Sequence, residues 1–321
     1  MKLLLRYAAR CVSGRNGDRR LLVLIFHRVL AEPDPLLPGE PDAATFRRLM
    51  RFLALHFRVL PLADAVRRLQ GGDLPAGAVC VTFDDGYANN FKIALPILIE
   101  CGIPATVFVA SGYLDGGIMF NDRIIETLRQ ARRRLDLSPL GLGIWPIGNT
   151  AERSAAAEAL IRELKYRPPE ERERISRQIA QIAETLPPSD LMMTRAEVAA
   201  LHRAGIEIGA HTVNHPILNT LDPQRAEREI AGSKTDLEAI IGAPVRSFAY
   251  PNGRPHTDYS AVHVAAVKRA GFTVALSTAW GAASRDSDPL QLPRIAPWDR
   301  SLWRYGLRMV AAYRARASTA S

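Results

Sequence analysis

At 321 residues the chain can form one large α/β domain or two ordinary ones, and 47% apolar against 23% charged residues is the balance of a soluble globular protein. No apolar run approaches the roughly 18 residues of a spanning helix, which excludes a transmembrane bundle. The formal charge of +9 lies at the two ends, with +5 in residues 1–20, +5 in residues 300–321 and about −1 between them, so a basic nucleic-acid-binding body is excluded as well.

Taken in chain order, the opening Met1-Lys2-Leu3-Leu4-Leu5 is interrupted by Arg6 and again by Arg10, which argues against an export signal. Cys11, Cys80 and Cys101 form no CxxC pair. A reducing, cytoplasmic setting is therefore expected. Short apolar runs rich in β-branched residues then predict strands near 21–27, 57–61, 78–83, 105–110, 206–211, 245–250 and 272–277. Helical periodicity fills 43–55, 89–101, 194–204, 222–241 and 260–270, with several helices ending in Gly. Strand alternating with helix predicts a mainly parallel sheet, closed as a barrel or open and doubly wound.

From 116 to 190 this rhythm stops. The segment shows no convincing strand and three helical stretches rich in Arg and Glu, at 121–135, 151–164 and 169–186, which predicts a helical insertion. The organisation expected is a basic segment over 1–20, a barrel over 21–298 carrying the insertion, and a basic amphipathic segment over 299–321.

Two motifs carry the chemistry. Val81-Thr82-Phe83-Asp84-Asp85-Gly86 puts adjacent carboxylates where an apolar strand meets a glycine turn, at the sheet edge on which α/β active sites collect. Alone, Asp-Asp-Gly is also an ordinary turn. His211-Thr212-Val213-Asn214-His215 follows a second strand-like run, and two imidazoles four residues apart either converge on one ion or serve structure only. Together the motifs offer His, His and Asp on one edge, an open three-ligand set with a place for water.

Thr82 to Gly86 and His211 to His215 are the two signature motifs, TFDDG and H-S/T-x-x-H, of the polysaccharide deacetylases with a NodB homology domain, and the chain resembles that family. Gly102 to Val109, Gly205 to His211 and Phe248-Ala249-Tyr250-Pro251-Asn252-Gly253 extend the resemblance over about 20–118 and 190–298. It implies a distorted (β/α) barrel of about seven strands, and a divalent metal, Zn2+ by preference, held by Asp85, His211 and His215. It also implies that Asp84 is the base in hydrolysis of an N-acetyl group on an amino-sugar glycan or glycolipid, free or lipid-linked.

The sequence departs from the family in two places. Ala249 stands where the family has an Arg paired to the catalytic Asp, and Arg294 is the proposed substitute, with pairing to a surface acid as the alternative. The family's C-terminal Leu-x-His is missing, since the last histidine is His263 on an apparent helix. His27, at the exit of the first strand, is the candidate acid that protonates the leaving amine, in the manner of branches that resemble this one and carry an N-terminal Tyr/Phe-His. Its alternative is a structural residue. Tyr87, Tyr113, Tyr250 and Trp280 are candidate sugar-lining aromatics, and Asn252 and the backbone of 250–253 are candidate orienting groups.

Rival readings are a hydrolase of another C–N amide on the same fold and a glycan-binding pseudoenzyme. Lys2, Arg6 and Arg10, with Arg300, Arg304 and Arg308, recur every four residues beside Leu302, Trp303, Leu307, Met309, Val310 and the N-terminal leucines. Two cationic, amphipathic ends of this kind predict contact with the anionic inner face of a membrane, and packing of the same faces on the barrel is the alternative.

Overall fold

Parallel strands curl around a common axis in the computed structural model, which describes residues 12–14, 18–296, 299, 301–315 and 318–320. β1 (Leu22–Phe26) pairs along its whole length with β3 (Ala78–Phe83), and the two-residue β2 (Arg58–Val59) pairs with the start of β3. The sheet continues in parallel through β4 (Ala105–Val109), β7 (Glu207–Ala210), β8 (Ser247–Ala249) and β9 (Val274–Leu276). β3 is buried along its entire length, as a strand covered on both faces must be, and this accounts for its unbroken apolar run.

The ring closes through a segment that sequence periodicity does not reveal. Leu292 bridges Leu276 and Ile295 bridges Leu24, both in parallel. Four backbone bonds of 2.8–3.1 Å tie the segment to the two edge strands, Ser277 N to Leu292 O, Leu292 N to Ala275 O, Ile295 N to Val23 O and Ile25 N to Ile295 O. Pro289 and Pro293 interrupt this stretch, and a residue without an N–H breaks the ladder that would define a regular strand. The expected seven positions are present, with the closing segment in the ring and β2 at its margin. Inside it, the Phe108 ring occupies the space beside Gly209, where an added Cβ would lie 2.4 Å from it.

Helices α1 (Ala43–His56), α2 (Leu62–Gly71) and α3 (Leu95–Cys101) cover one side of the ring. Asp42 caps α1 by accepting from Thr45 N, and Phe46, Leu49, Met50 and Leu53 form its buried stripe. A π-turn over Asn90–Ala94 precedes α3, at the point where Pro96 denies the helix one of its backbone donors.

The insertion is less purely helical than its composition predicts. α4 (Phe120–Gln130) is followed by an antiparallel hairpin, β5 (Arg134–Asp136) and β6 (Ile144–Pro146), then by α5 (Thr150–Leu164) and α6 (Pro169–Ile182). Strands of three residues are too short to leave a period-2 signature, which is why the hairpin is absent from the sequence reading. Ile124, Leu128, Leu135, Leu160 and Ile179 give the insertion its own small core.

α7 (Arg195–Arg203), α8 (Pro223–Ile241) and α9 (Ala261–Arg269) complete the outer layer before α10 (Leu302–Ala312). α10 packs Tyr305, Met309 and the following Tyr313 against the barrel, Tyr305 edge-on to Phe52 and Tyr313 donating to Ala78 O. Met309 therefore leaves the outward apolar face predicted for it, while Leu302, Trp303 and Leu307 remain 36–46% exposed. Lys2, Arg6, Arg10 and Arg300 lie outside the described residues. Among the described residues, no helix is long and apolar enough to cross a membrane.

Candidate metal and catalytic site

β3 delivers both carboxylates to the C-terminal edge of the ring. Asp84 N donates to Phe26 O at 2.9 Å and so prolongs the pairing with β1. Asp85 then turns the chain with φ at 75°, and the two acids take different partners, Asp85 the imidazoles of His211 and His215 and Asp84 the guanidinium of Arg294. Gly86 follows at φ 89°, packed so closely on Val109 that a Cβ there would meet its Cγ1 at 3.0 Å. The adjacency of the two acids is thereby resolved into two sets of partners.

Asp85 Oδ1 lies 3.4 Å from His211 Nε2 and 3.3 Å from His215 Nε2. One ligand atom from each of the three residues falls within 4.8 Å of the others. His211 Nδ1 sits 2.7 Å from Ala249 O and donates its proton there, which directs Nε2 at Asp85; burial lowers the pKa of this imidazole, but the Asp84 and Asp85 carboxylates outweigh it and raise it. Burial depresses the His215 pKa to about 3 against the opposing pull of Asp85, which keeps that imidazole neutral. A carboxylate and two imidazole nitrogens form a donor set that fits a divalent ion with open positions for water and substrate.

Asp85, Thr212, His215 and Asn252 all adopt positive φ, between 48° and 75°. Left-handed backbone at four non-glycine positions around one site is strain that the surrounding structure must hold in place. Glu229 of α8 does much of this, its Oε2 accepting from Val213 N and Asn214 N and its Oε1 from Asn214 Nδ2. From the insertion, Arg172 Nη2 donates to His215 O at 3.2 Å.

Arg294 projects from the ring-closing segment and is 1% exposed. Its Nη1 and Nη2 reach Asp84 Oδ1 and Oδ2 at 2.6 and 2.7 Å, and Nε donates to Ser277 O at 3.0 Å. This two-pronged contact fills the place left by Ala249, and the surface-acid alternative is excluded by the depth of the pair. Burial pushes the Asp84 carboxyl up, but Arg294 and His211 outweigh it and hold the pKa below the ordinary carboxylate value.

A cavity of about 580 Å3 opens above these groups and is lined by Asp84, Asp85, His211, His215, His27 and Asn252. His27 follows the end of β1, and its carbonyl accepts from Asn90 Nδ2 of the π-turn at 2.9 Å. His263 is on α9, buried against Ser260.

Two expected contacts are corrected. The Tyr250 ring is fully buried, stacked on Tyr259 at 3.9 Å, with its hydroxyl donating to Leu290 O and its backbone N–H to Leu276 O, so it does not face a substrate. Trp280 is 57% exposed and lies outside the cavity wall. Of the other aromatics, Tyr87 lines the cavity, whereas Tyr113 lies in a neighbouring cleft with its hydroxyl on Asn214 O.

Sequence reasoning missed several wall residues. Asp122, at the start of α4, accepts from the Tyr87 hydroxyl at 3.0 Å, and burial lifts its pKa to about 7 against the opposing charge of Arg28. Glu40 accepts from Arg28 N. Lys165, Arg172 and Arg254 complete the wall. Nothing in their sequence neighbourhoods distinguishes them from a solvated helix face or loop, because fold topology alone brings them to the site.

A parallel barrel with a carboxylate and two imidazoles at its C-terminal edge, and a second carboxylate held by a buried Arg, is a candidate hydrolase-type metal site. A sequence model of the family described as polysaccharide deacetylase matches residues 71–138 and 143–275, and the chain belongs to that family. YxkH of Bacillus subtilis (strain 168), named as a polysaccharide deacetylase, is 31% identical over 217 residues, which is 68% of this chain and 50% of YxkH. The chain thus spans about half the length of that curated relative. Among solved structures, the Streptococcus pyogenes deacetylase PplD in complex with acetate superposes with a TM-score of 0.58 at 19% identity, covering 87% of this chain and 92% of that one. IcaB from Ammonifex degensii gives 0.58 at 18% identity, covering 91% and 97%. At these identities the likeness is one of fold.

Proposed function

We propose that the chain is a metal-dependent deacetylase that removes acetyl groups from N-acetylated amino sugars of a glycan or glycolipid, with Zn2+ held by Asp85, His211 and His215. The observation that carries this reading is the division of the two acids, Asp85 facing both imidazoles and Asp84 held by Arg294 with one oxygen 3.8 Å from His211 Nε2. An ion bound there supplies Lewis-acid polarisation of the acetamide carbonyl and acidification of water. Asp84, kept ionised by Arg294, accepts the proton of the attacking water. The Asn252 backbone N–H, beside Tyr250, Gly253 and Arg254 amides that already donate within the fold, orients the carbonyl oxygen. His27, in the wall of the same cavity, donates the proton that lets the amine leave. The Zn2+-loaded chain is expected to release acetate from N-acetylglucosamine oligomers in a coupled acetate assay, and to lose that activity on chelation. Glycan binding without acetate release would favour the pseudoenzyme reading, and release of a different product from another amide would favour the second hydrolase.

The chain is further proposed to work against an anionic membrane face. The exposed Leu302, Trp303 and Leu307 beside the exposed Arg304 and Arg308 support this, since an apolar strip next to cations suits a headgroup boundary, where each cation contributes on the order of 1 kcal/mol. Co-sedimentation with phosphatidylglycerol vesicles, lost on replacing Trp303 and Leu307 with Ser, is the expected result. Equal, negligible sedimentation with anionic and neutral vesicles would remove the proposal.

A further inference from the structure

The cavity wall carries both charges. Each acid has a partner: Asp84 has Arg294, Asp85 has the two imidazoles, Asp122 has Tyr87 and Arg28, and Glu40 has the Arg28 amide. The same wall carries Lys165, Arg172 and Arg254. They come from three separate places, the C-cap of α5, the first turns of α6, and the loop that follows Asn252. Among the described residues none of the three has a carboxylate oxygen within 4.0 Å, although Arg123, Arg129, Arg167 and Arg177 of the same insertion each do.

Asp258, the acid that acts on Lys165, is already committed, accepting from Arg254 N and from the Tyr166 hydroxyl. Arg172 is 4% exposed, has its guanidinium carbon over the Phe120 ring at 4.4 Å, and donates to both His215 O and Lys165 O. One guanidinium therefore touches the metal-ligand loop and the lysine segment together, in the same cavity as the candidate metal site. Burial lowers the pKa of Lys165, and the neighbouring Arg254 and Arg172 lower it further against Asp258. Gathering like charges in a cleft is unfavourable in the free protein, and an anion between them relieves the repulsion.

Building on the deacetylase reading, we propose that this wall binds a phosphate ester, so that the sugar presenting its acetamide to Asp84 is itself phosphorylated. Two guanidinium groups and an ammonium match a phosphoryl group, with its several oxygens and up to two negative charges, better than a lone carboxylate. Sugar 1-phosphates and sugar nucleotides share this chemistry, as monoester and diester respectively.

The test uses the full-length Asp84→Asn protein, in which binding is read without turnover. Calorimetry with N-acetylglucosamine 1-phosphate, UDP-N-acetylglucosamine and unmodified N-acetylglucosamine is expected to show at least about tenfold tighter binding of a phosphorylated sugar, equivalent to about 1.4 kcal/mol. Whichever of the two binds more tightly identifies the monoester or the diester as the source. The preference should vanish in a Lys165→Gln/Arg254→Gln double variant, and weaken with salt, while binding of the neutral sugar is unchanged. Equal affinities, or a preference that survives the double variant, would overturn the proposal. A charge-dependent preference, with no acetate released from any of the three by the Zn2+-loaded wild-type chain assayed in parallel, would retain the phosphate site and reject the deacetylase reading. Acetate release without any preference would do the reverse.

Discussion

Asp84→Asn is expected to bind Zn2+ with near wild-type affinity and to lose about 10²–10⁴ of its turnover, the usual contribution of a positioned base. Asp85→Ala and His211→Ala are expected to lose both metal and activity. The split follows from geometry: Asp85 lies within 3.4 Å of both imidazoles, whereas both oxygens of Asp84 are engaged by Arg294. An amide at position 84 keeps one acceptor for Arg294 but cannot take up a proton. Metal stoichiometry by mass spectrometry under native conditions, alongside acetate release, checks the two readouts separately. If Asp84→Asn bound no metal and Asp85→Asn behaved as wild type, the roles would be exchanged.

The second large effect belongs to Arg294. Arg294→Met leaves Asp84 buried with its cation gone, and breaking a buried pair from one side costs about 3–5 kcal/mol. In the intact protein the Asp84 pKa is held below its ordinary value, so the pair contributes stability above the unfolded carboxylate pKa, and that stability is lost as pH falls through the folded one. In the variant, burial acts without Arg294 and pushes the pKa up. The stability gap to wild type should then narrow on acidification, and the acid limb of the activity profile should move to higher pH. Chemical denaturation at several pH values measures the first, and the pH dependence of kcat/KM the second. Unchanged midpoints across pH would contradict the role given to Arg294.

What was legible in the sequence follows from how each feature is encoded. β3 and the two motifs are contiguous, so an apolar run ending in Asp84-Asp85-Gly86 and the spacing of His211 and His215 could be read directly. The ring-closing segment could not, because Pro289 and Pro293 break its pattern and its pairing is only a few bonds long. Arg294 could be named only as a replacement for a missing residue, yet it lies on that same segment and reaches Asp84. Tyr250 misled because it sits in a motif whose neighbours face the site, while its own side chain points into the core and stacks on Tyr259. Lys165 and Arg172 were invisible as cavity residues for a different reason. They belong to helices that read as ordinary charged surface, and only the placement of the insertion over the ring's edge brings them inward.

The most direct measurement is a crystal structure of the chain soaked with Zn2+ and acetate, located by anomalous scattering at the zinc edge. The account predicts one ion about 2.0–2.2 Å from an Asp85 oxygen, His211 Nε2 and His215 Nε2, with Asp84 outside the coordination shell and still held by Arg294. An ion coordinated by Asp84 in place of Asp85, or bound away from the two histidines, would contradict it.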